Sequence, residues 1–352
     1  MKPCLDFERP LVELETRIDA LRRSAPGRAG AQAELRSLEA RAEKLRRKIY
    51  GGLTSWQKTQ LSRHPARPTT LDYVRLLFTD FEPLHGDRLG GDDPAIVGGL
   101  ARFHGVPVVV VGHQNPRRPP AERGPTVSGM MLPSEREPEA GESRGSGGEG
   151  ARAGMPMPEG FRKALRLMRL GERFGKPIVT FVDTTGAWPG PEAEARGQAE
   201  AIARNLREMS ALRVPIVSVV IGEGGSGGAL ALCVADRILM QEYAIFTVIS
   251  PEGCAAILWR EGERAEEAAE ALKLTAQDIF ELGVIDAIVQ EPPGGAHRDP
   301  GTAARELDRA LRGALAEVRG VPLDILAAGR YEKYRRMGEF LESRGEGASG
   351  GT

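Results

Sequence analysis

Three β-rich apolar runs, separated by stretches with helical spacing, constrain the chain more than any other feature. They cover residues 106–112, 177–182 and 215–221, and each is a near-continuous run of Val, Ile and Phe with a few small residues. Runs of that length and type read as strands buried on both faces. Between them, residues 158–174 place Phe161, Leu165 and Met168 at helical spacing, and residues 192–212 put Ala199, Ile202, Ala203, Leu206 and Met209 on one face. Residues 225–235 read as a small-residue helix, residues 238–240 as a further strand, and residues 302–318 as an amphipathic helix. Alternation of this kind implies an α/β core of parallel strands joined by right-handed crossovers. The first run also pairs back on residues 95–103 across His104-Gly105 as a hairpin, and Thr70 caps a short helix ahead of it.

The flanks differ. Leu11, Leu14, Ile18 and Leu21 form one apolar stripe, and Leu35, Leu38, Ala42, Leu45 and Ile49 a second, with Pro26-Gly27 between them. Two such seams describe a helical hairpin over residues 1–63. Residues 64–291 form the α/β core. Residues 115–152 are dominated by Pro, Gly, Ser, Glu and Arg, and read as a disordered insertion inside it. Residues 292–352 hold the last helix and a Gly/Ser tail.

Composition narrows the function classes. Lys plus Arg total 48 against 49 Asp plus Glu, a formal net charge of −1, so no global basic surface points to nucleic acid. Aromatics are only 5%, which makes the core aliphatic. No apolar run approaches the roughly 18 residues of a membrane helix. The charged N-terminus lacks a signal-peptide core. Cys4, Cys233 and Cys254 show no C-x-x-C spacing, so neither a disulfide framework nor a zinc site is expected, and a cytoplasmic location is. Cys233 and Cys254 read as buried small apolar residues, and His85, His104 and His113 as loop or hydrogen-bonding residues.

Chemistry concentrates where two strands end. One segment is Asp183-Thr184-Thr185-Gly186-Ala187-Trp188-Pro189-Gly190, and the other is Gly222-Glu223-Gly224-Gly225-Ser226-Gly227-Gly228. Glycines at a strand-to-helix junction let a ligand approach the backbone, and first-turn N–H groups await an acceptor. Three motifs overlap on the second segment. Gly222, Gly224 and Gly227 satisfy G-x-G-x-x-G with Glu242 twenty residues on, a dinucleotide fingerprint. Gly224, Ser226 and Gly228 satisfy G-x-S-x-G, a nucleophile elbow whose downstream histidine would have to be His297. The third reading needs no side chain: backbone N–H groups form an oxyanion hole. Glu223 either orients this loop or is a solvated carboxylate.

Long stretches such as HPARPTTLDYVRLLFTDFEPLHGDRLGGDDPAIVGGLARFHGVPVVVVGHQ, PIVSVVIGEGGSGGALAL and YAIFTVISPEGCAAILWR carry a family resemblance. The chain resembles the alpha subunits of bacterial acetyl-coenzyme A carboxylase carboxyltransferases. The resemblance spans most of the chain outside residues 115–152 and the tail. It implies a crotonase-like fold, a spiral of ββα units. It implies transfer of a carboxyl group from carboxybiotin, borne by the biotin carboxyl carrier protein, to acetyl-CoA, in the first committed step of fatty acid synthesis. It implies a zinc-ribbon beta subunit as partner, in an α2β2 assembly that holds zinc only on the beta side and works with biotin carboxylase, away from any membrane. On the alpha side it implies an oxyanion hole from Gly224, Gly225, Gly227 and Gly228, with Gly227-Gly228 favoured. Gly186, Ala187, Trp188 and Ser226 then line the cleft. The chain departs from the family pattern at Thr185, where proline is usual, and at Trp188, where tyrosine is usual. The short basic segment that usually follows G-H-Q is replaced by the insertion, leaving Arg117 and Arg118 nearby.

Overall fold

The computed structural model describes residues 4–24, 29–115 and 154–338. The expected insertion, apart from Asn115 at its start, and the Gly/Ser tail lie outside the described residues, as do Arg117 and Arg118.

Helices α1 (Arg9–Ser24) and α2 (Ala29–Tyr50) bring the two apolar stripes together. Leu11, Ile18, Leu38 and Ala42 are buried in one cluster, with Leu14, Leu21, Leu35, Leu45 and Ile49 packed around them. Tyr243 and Leu61 join that cluster, so the base of the hairpin closes on the rest of the protein. A polar lock sits beside it. Glu8 is buried and accepts from the Tyr50 hydroxyl and from Arg298, while the Arg298 guanidinium also reaches Glu15 at 2.8 Å.

Helix α3 (Ser55–Ser62) precedes α4 (Thr70–Leu77). The cap of α4 is Thr69, not Thr70 as the sequence suggested. The Asp72 carboxylate reaches back to accept from the Thr69 N–H at 2.9 Å, and the Thr70 hydroxyl instead donates to the His113 carbonyl. Strands β1 (Thr79–Pro83), β2 (Ile96–Phe103) and β3 (Val106–His113) follow as an antiparallel meander. The turn between β2 and β3 puts His104 at φ 47° and Gly105 at φ 78°, as a two-residue hairpin demands.

From β3 onward the sheet is parallel. Helix α5 (Pro158–Arg173) leads to β4 (Ile178–Thr184), then α6 (Pro191–Ala195) and α7 (Gln198–Ala211) lead to β5 (Ile216–Gly225). The single helix expected over 192–212 is therefore two. Gly197 breaks it at φ 82°, a left-handed conformation that leaves the α-helical path. Helix α8 (Ser226–Leu230) is only five residues long, shorter than the expected 225–235, because β5 keeps its extended path through Gly225. Strands β6 (Arg237–Gln241) and β7 (Ile245–Thr247), helices α9 (Pro251–Trp259), α10 (Ala265–Ala271) and α11 (Ala276–Glu281), and strand β8 (Ala287–Val289) complete the core. Helices α12 (Pro300–Arg319) and α13 (Leu323–Arg335) cover it.

The strand order is β1-β2-β3-β4-β5-β6-β8, with β7 off this path on β5. Alternate residues of β4 and β5 serve two cores. Ile178, Val182, Ile216 and Val220 pack with Phe161, Leu167 and Met209 on one face. Val179, Phe181, Val217 and Val219 pack with Tyr73, Leu307 and Leu311 on the other. Burying both faces of the central strands is what their unbroken aliphatic runs require. Late in the chain, the Arg330 guanidinium is fully buried. It grips both oxygens of Asp236 at 2.9 Å and donates to the carbonyls of Met209, Leu212 and Val214. Among the described residues no helix is long and apolar enough to cross a membrane.

Candidate functional site

Strand β5 changes partner along its length. Val217–Val220 pair with β6, whereas Glu223, Gly224 and Gly225 pair with Ile245, Phe246 and Thr247 of β7. On its other side β5 pairs with β4, where the register shifts before Thr184 meets Gly224. The sheet thus splits at the glycine run, and the ends of β4 and β5 meet there.

The glycines are required by close approach. A Cβ on Gly225 would lie 2.1 Å from the Thr185 carbonyl oxygen. One on Gly228 would lie 2.5 Å from the Ala187 nitrogen and 2.6 Å from the Gly186 carbonyl carbon, and one on Gly224 would lie 2.6 Å from the Phe246 ring. No side chain fits at those three positions without moving backbone or ring. Gly227 differs: its Cβ would meet only Ile202, at 3.5 Å, and the residue is half-buried. The two glycine-rich segments named from the sequence therefore lie back to back. Gly225 and Gly228 form the contact with Thr185, Gly186 and Ala187, Gly224 packs instead on Phe246 of β7, and Ser226 and Gly227 occupy the outer side.

Ser226 is exposed and holds φ at 52°, an unusual conformation for a residue with a Cβ. It begins α8, and Gly225 at the cap position contributes no side-chain hydrogen bond. The first-turn N–H groups of a helix have no intrahelical acceptor, so those of α8 need one from elsewhere. On the facing segment, the Gly186 N–H donates to the Thr184 hydroxyl at 3.2 Å, and that hydroxyl donates to the Gly186 carbonyl at 2.7 Å. Trp188 is fixed through its backbone N–H to Pro156 at 3.0 Å, through Gln198 on its carbonyl at 2.9 Å, and through its indole N–H on Glu192. The indole N–H is thus committed to α6. The Thr185 hydroxyl is buried without a hydrogen-bond partner, the visible mark of threonine in that turn.

Beneath the run lie charged and polar residues that sequence spacing did not bring together. Glu223 is buried, so it is not a solvated carboxylate. Arg63, just after α3, holds its carboxylate with Nε at 2.9 Å and Nη2 at 2.7 Å, and holds Glu252 of α9 with Nη1 at 2.6 Å. Burial works against the Arg63 charge, but Glu223 and Glu252 outweigh it and raise its pKa. The Glu223 N–H donates to Asp183 at 3.1 Å, and the Asp183 N–H donates to His113 Nδ1 at 3.3 Å. Burial pushes the His113 pKa down to about 4, so that imidazole is neutral at neutral pH. Arg67 fixes the strand just upstream, donating from Nε to the Ile221 carbonyl at 2.6 Å.

Both side-chain readings of the glycine motif lose their partners. His297, needed by a serine nucleophile, stacks on His64 with ring centroids 4.0 Å apart, and its Nε2 lies 3.4 Å from Glu8 at the hairpin base. Glu242, needed by a dinucleotide ribose, accepts the Glu291 N–H at 3.2 Å. Glu8, His64 and His297 also form the one group of potential metal ligands among the described residues. The two rings are tilted by 32°, and Glu8 already accepts from Tyr50 and Arg298.

Comparison with known proteins adds the chemistry. A family model described as acetyl co-enzyme A carboxylase carboxyltransferase-like matches residues 4–134 and 146–338, so only 135–145 of the expected insertion falls between its two matched stretches. The acetyl-coenzyme A carboxylase carboxyl transferase subunit alpha of Geobacter metallireducens is 52% identical over 338 residues, covering 96% of this chain and 98% of that protein. Its Thermus thermophilus namesake is 50% identical over 339 residues, covering 96% and 99%. Among solved structures, the transcarboxylase 12S hexamer core with methylmalonyl-coenzyme A bound aligns at a TM-score of 0.51 and 19% identity, over 80% of this chain and 44% of that one. That likeness is one of fold, and the crotonase-like architecture expected from the sequence holds. With a family match over nearly every described residue and half of all positions identical to named relatives, this chain belongs to the family of acetyl-coenzyme A carboxylase carboxyltransferase alpha subunits.

Proposed function

We propose that the chain works as a carboxyltransferase alpha subunit, passing a carboxyl group from carboxybiotin on the biotin carboxyl carrier protein to acetyl-CoA to give malonyl-CoA. The observation that carries this reading is the back-to-back glycine contact, which puts an uncapped helix start beside the Gly186-Ala187 backbone with no side chain between them. Carboxybiotin supplies the carboxyl group. The chain supplies N–H donors at Gly227 and Gly228 for an oxygen on which negative charge grows, and Gly224 and Gly225 keep that corner free of side chains. Loss of one such donor typically costs about 2.7–4 kcal/mol. Gly186, Ala187 and Trp188 form the facing wall, and Ser226 stands at the mouth without acting as a nucleophile.

The beta subunit, with its own zinc, holds the CoA portion and completes the site in an α2β2 assembly served by biotin carboxylase. Relatives bearing the name subunit alpha support a multi-subunit complex. So do Val248, Ile257 and Leu258, on and just before α9, which are 74%, 71% and 63% exposed, as apolar side chains awaiting a partner are. Three free cysteines suit the reducing cytoplasm. The test is reconstitution: the chain mixed with a zinc-ribbon beta subunit forms malonyl-CoA from carboxylated carrier, and the chain alone forms none. Turnover by the chain alone, or silence of the mixture, overturns the reading.

A further inference from the structure

The run from Gly222 to Gly228 contains five glycines, so the fold has few side chains by which to hold it. Ser226 points to the exposed side. Glu223, only 1% exposed, is therefore the single buried side chain with which the run is anchored. Its cation does not come from the sheet. It comes from Arg63, 160 residues earlier, at the C-cap of α3, a helix that is itself pinned: the Ser55 N–H and hydroxyl donate to Glu270 at 2.8 and 3.0 Å, and Lys58 donates to Gln277 at 2.7 Å.

We propose that Arg63 is a positioning residue for the glycine junction. Two parallel bonds fix the Glu223 carboxylate in the guanidinium plane, a geometry that a lysine ammonium does not reproduce. The third direction of the same guanidinium takes Glu252 in the first turn of α9, directly after β7. One side chain thus ties the end of β5 to the segment beyond its partner strand. Meanwhile Asp183 holds the Glu223 backbone N–H from the β4 side. With residue 223 held at both ends, the amide directions of the next five residues are set relative to the Gly186-Ala187 wall. The inference rests on the carboxyltransferase reading only for its activity readout.

The test uses four variants in the complex with the beta subunit: Arg63→Met, Arg63→Lys, Glu223→Gln, and the Arg63→Met/Glu223→Gln pair. Arg63→Met is expected to lower kcat about 100-fold, the scale of a misplacement near 1 Å, with KM for acetyl-CoA within about twofold. Arg63→Lys falls between it and the unaltered chain. The double variant removes both charges and recovers thermal stability, yet its kcat stays low. Recovery of kcat together with stability would show that charge neutralisation is the whole role, and would overturn the proposal. Hydrogen exchange on the full chain without its partner gives a second reading. Peptides spanning 222–230 exchange about tenfold faster in Arg63→Lys and in the double variant, while α1 and α2 peptides are unaltered. Unchanged exchange at 222–230 refutes positioning by Arg63, even if the unaltered complex shows no transfer and the carboxyltransferase reading fails.

Discussion

The glycine junction and the N-terminal hairpin solve the same problem with opposite means. The hairpin is held by apolar side chains spread along two seams. The junction has almost none: at three glycines backbone or ring atoms lie 2.1–2.6 Å from where a Cβ would stand, and one buried carboxylate anchors the run. The first arrangement is weakened by deleting a side chain. The second tolerates no addition of even one carbon at three of its positions. A surface made of bare amides has to be built the second way.

The strongest way to break the contrast is at Gly228. Gly228→Ala forces a methyl against the Ala187 backbone nitrogen, and is expected to destabilise by about 3 kcal/mol and to lower carboxyl transfer at least about 100-fold. Gly227→Ala is the matched control, because its methyl meets Ile202 at an ordinary 3.5 Å. Its denaturation midpoint stays near that of the unaltered chain. If the two variants unfold alike, close approach is not what selects glycine at 228. In the hairpin, Leu11→Ala deletes a side chain that is fully buried, with an expected loss of about 2–5 kcal/mol in urea unfolding. Transfer per folded complex is unaltered. A loss of turnover without loss of stability would bring the hairpin into the catalytic region.

Legibility followed the same division. The strands at 177–182 and 215–221 were readable because β-branched runs report two-sided burial, and the hairpin because its leucines keep helical phase. Gly197 was not readable as a break, since Ala193 and Ala201, both buried, keep helical spacing across it. The extension of β5 through Gly225 was hidden because glycine carries no strand preference, and its partner Phe246 lies beyond an intervening strand. The glycine segments themselves were recognisable from residue type and from family resemblance. Their supports were not. Arg63 and Glu223 are 160 residues apart, and no local spacing links them.

Acid sharpens the comparison further. Burial opposes the Glu8 charge, but hydrogen bonds from His297, Tyr50 and the Leu5 N–H overcome it and lower the pKa to about 2, from an ordinary 4.5. A carboxylate depressed in the folded state stabilises above the unfolded pKa, and that contribution is lost as pH falls through the folded one. Hairpin stability is therefore expected to decline between about pH 4.5 and 2. Urea midpoints across that range are expected to fall less steeply in Glu8→Gln than in the unaltered chain. An identical slope would place the acid sensitivity elsewhere. The smallest effect belongs to Thr185. Thr185→Val removes a buried hydroxyl that has no partner, and is expected to raise stability by up to about 1 kcal/mol in thermal melts. A destabilised Thr185→Val would mean that the hydroxyl is satisfied in solution.

The grip of Arg330 on three carbonyls just ahead of β5 bears on how the protein is made. The carbonyls of Met209, Leu212 and Val214 leave the ribosome more than a hundred residues before the guanidinium that satisfies them. At translation rates of about 5–20 residues per second, that interval is on the order of ten seconds. During it the Asp236 carboxylate, once synthesised, lacks the Arg330 guanidinium that it accepts from in the finished fold. The contacts that close this corner ahead of β5 can therefore form only after α13 has been made.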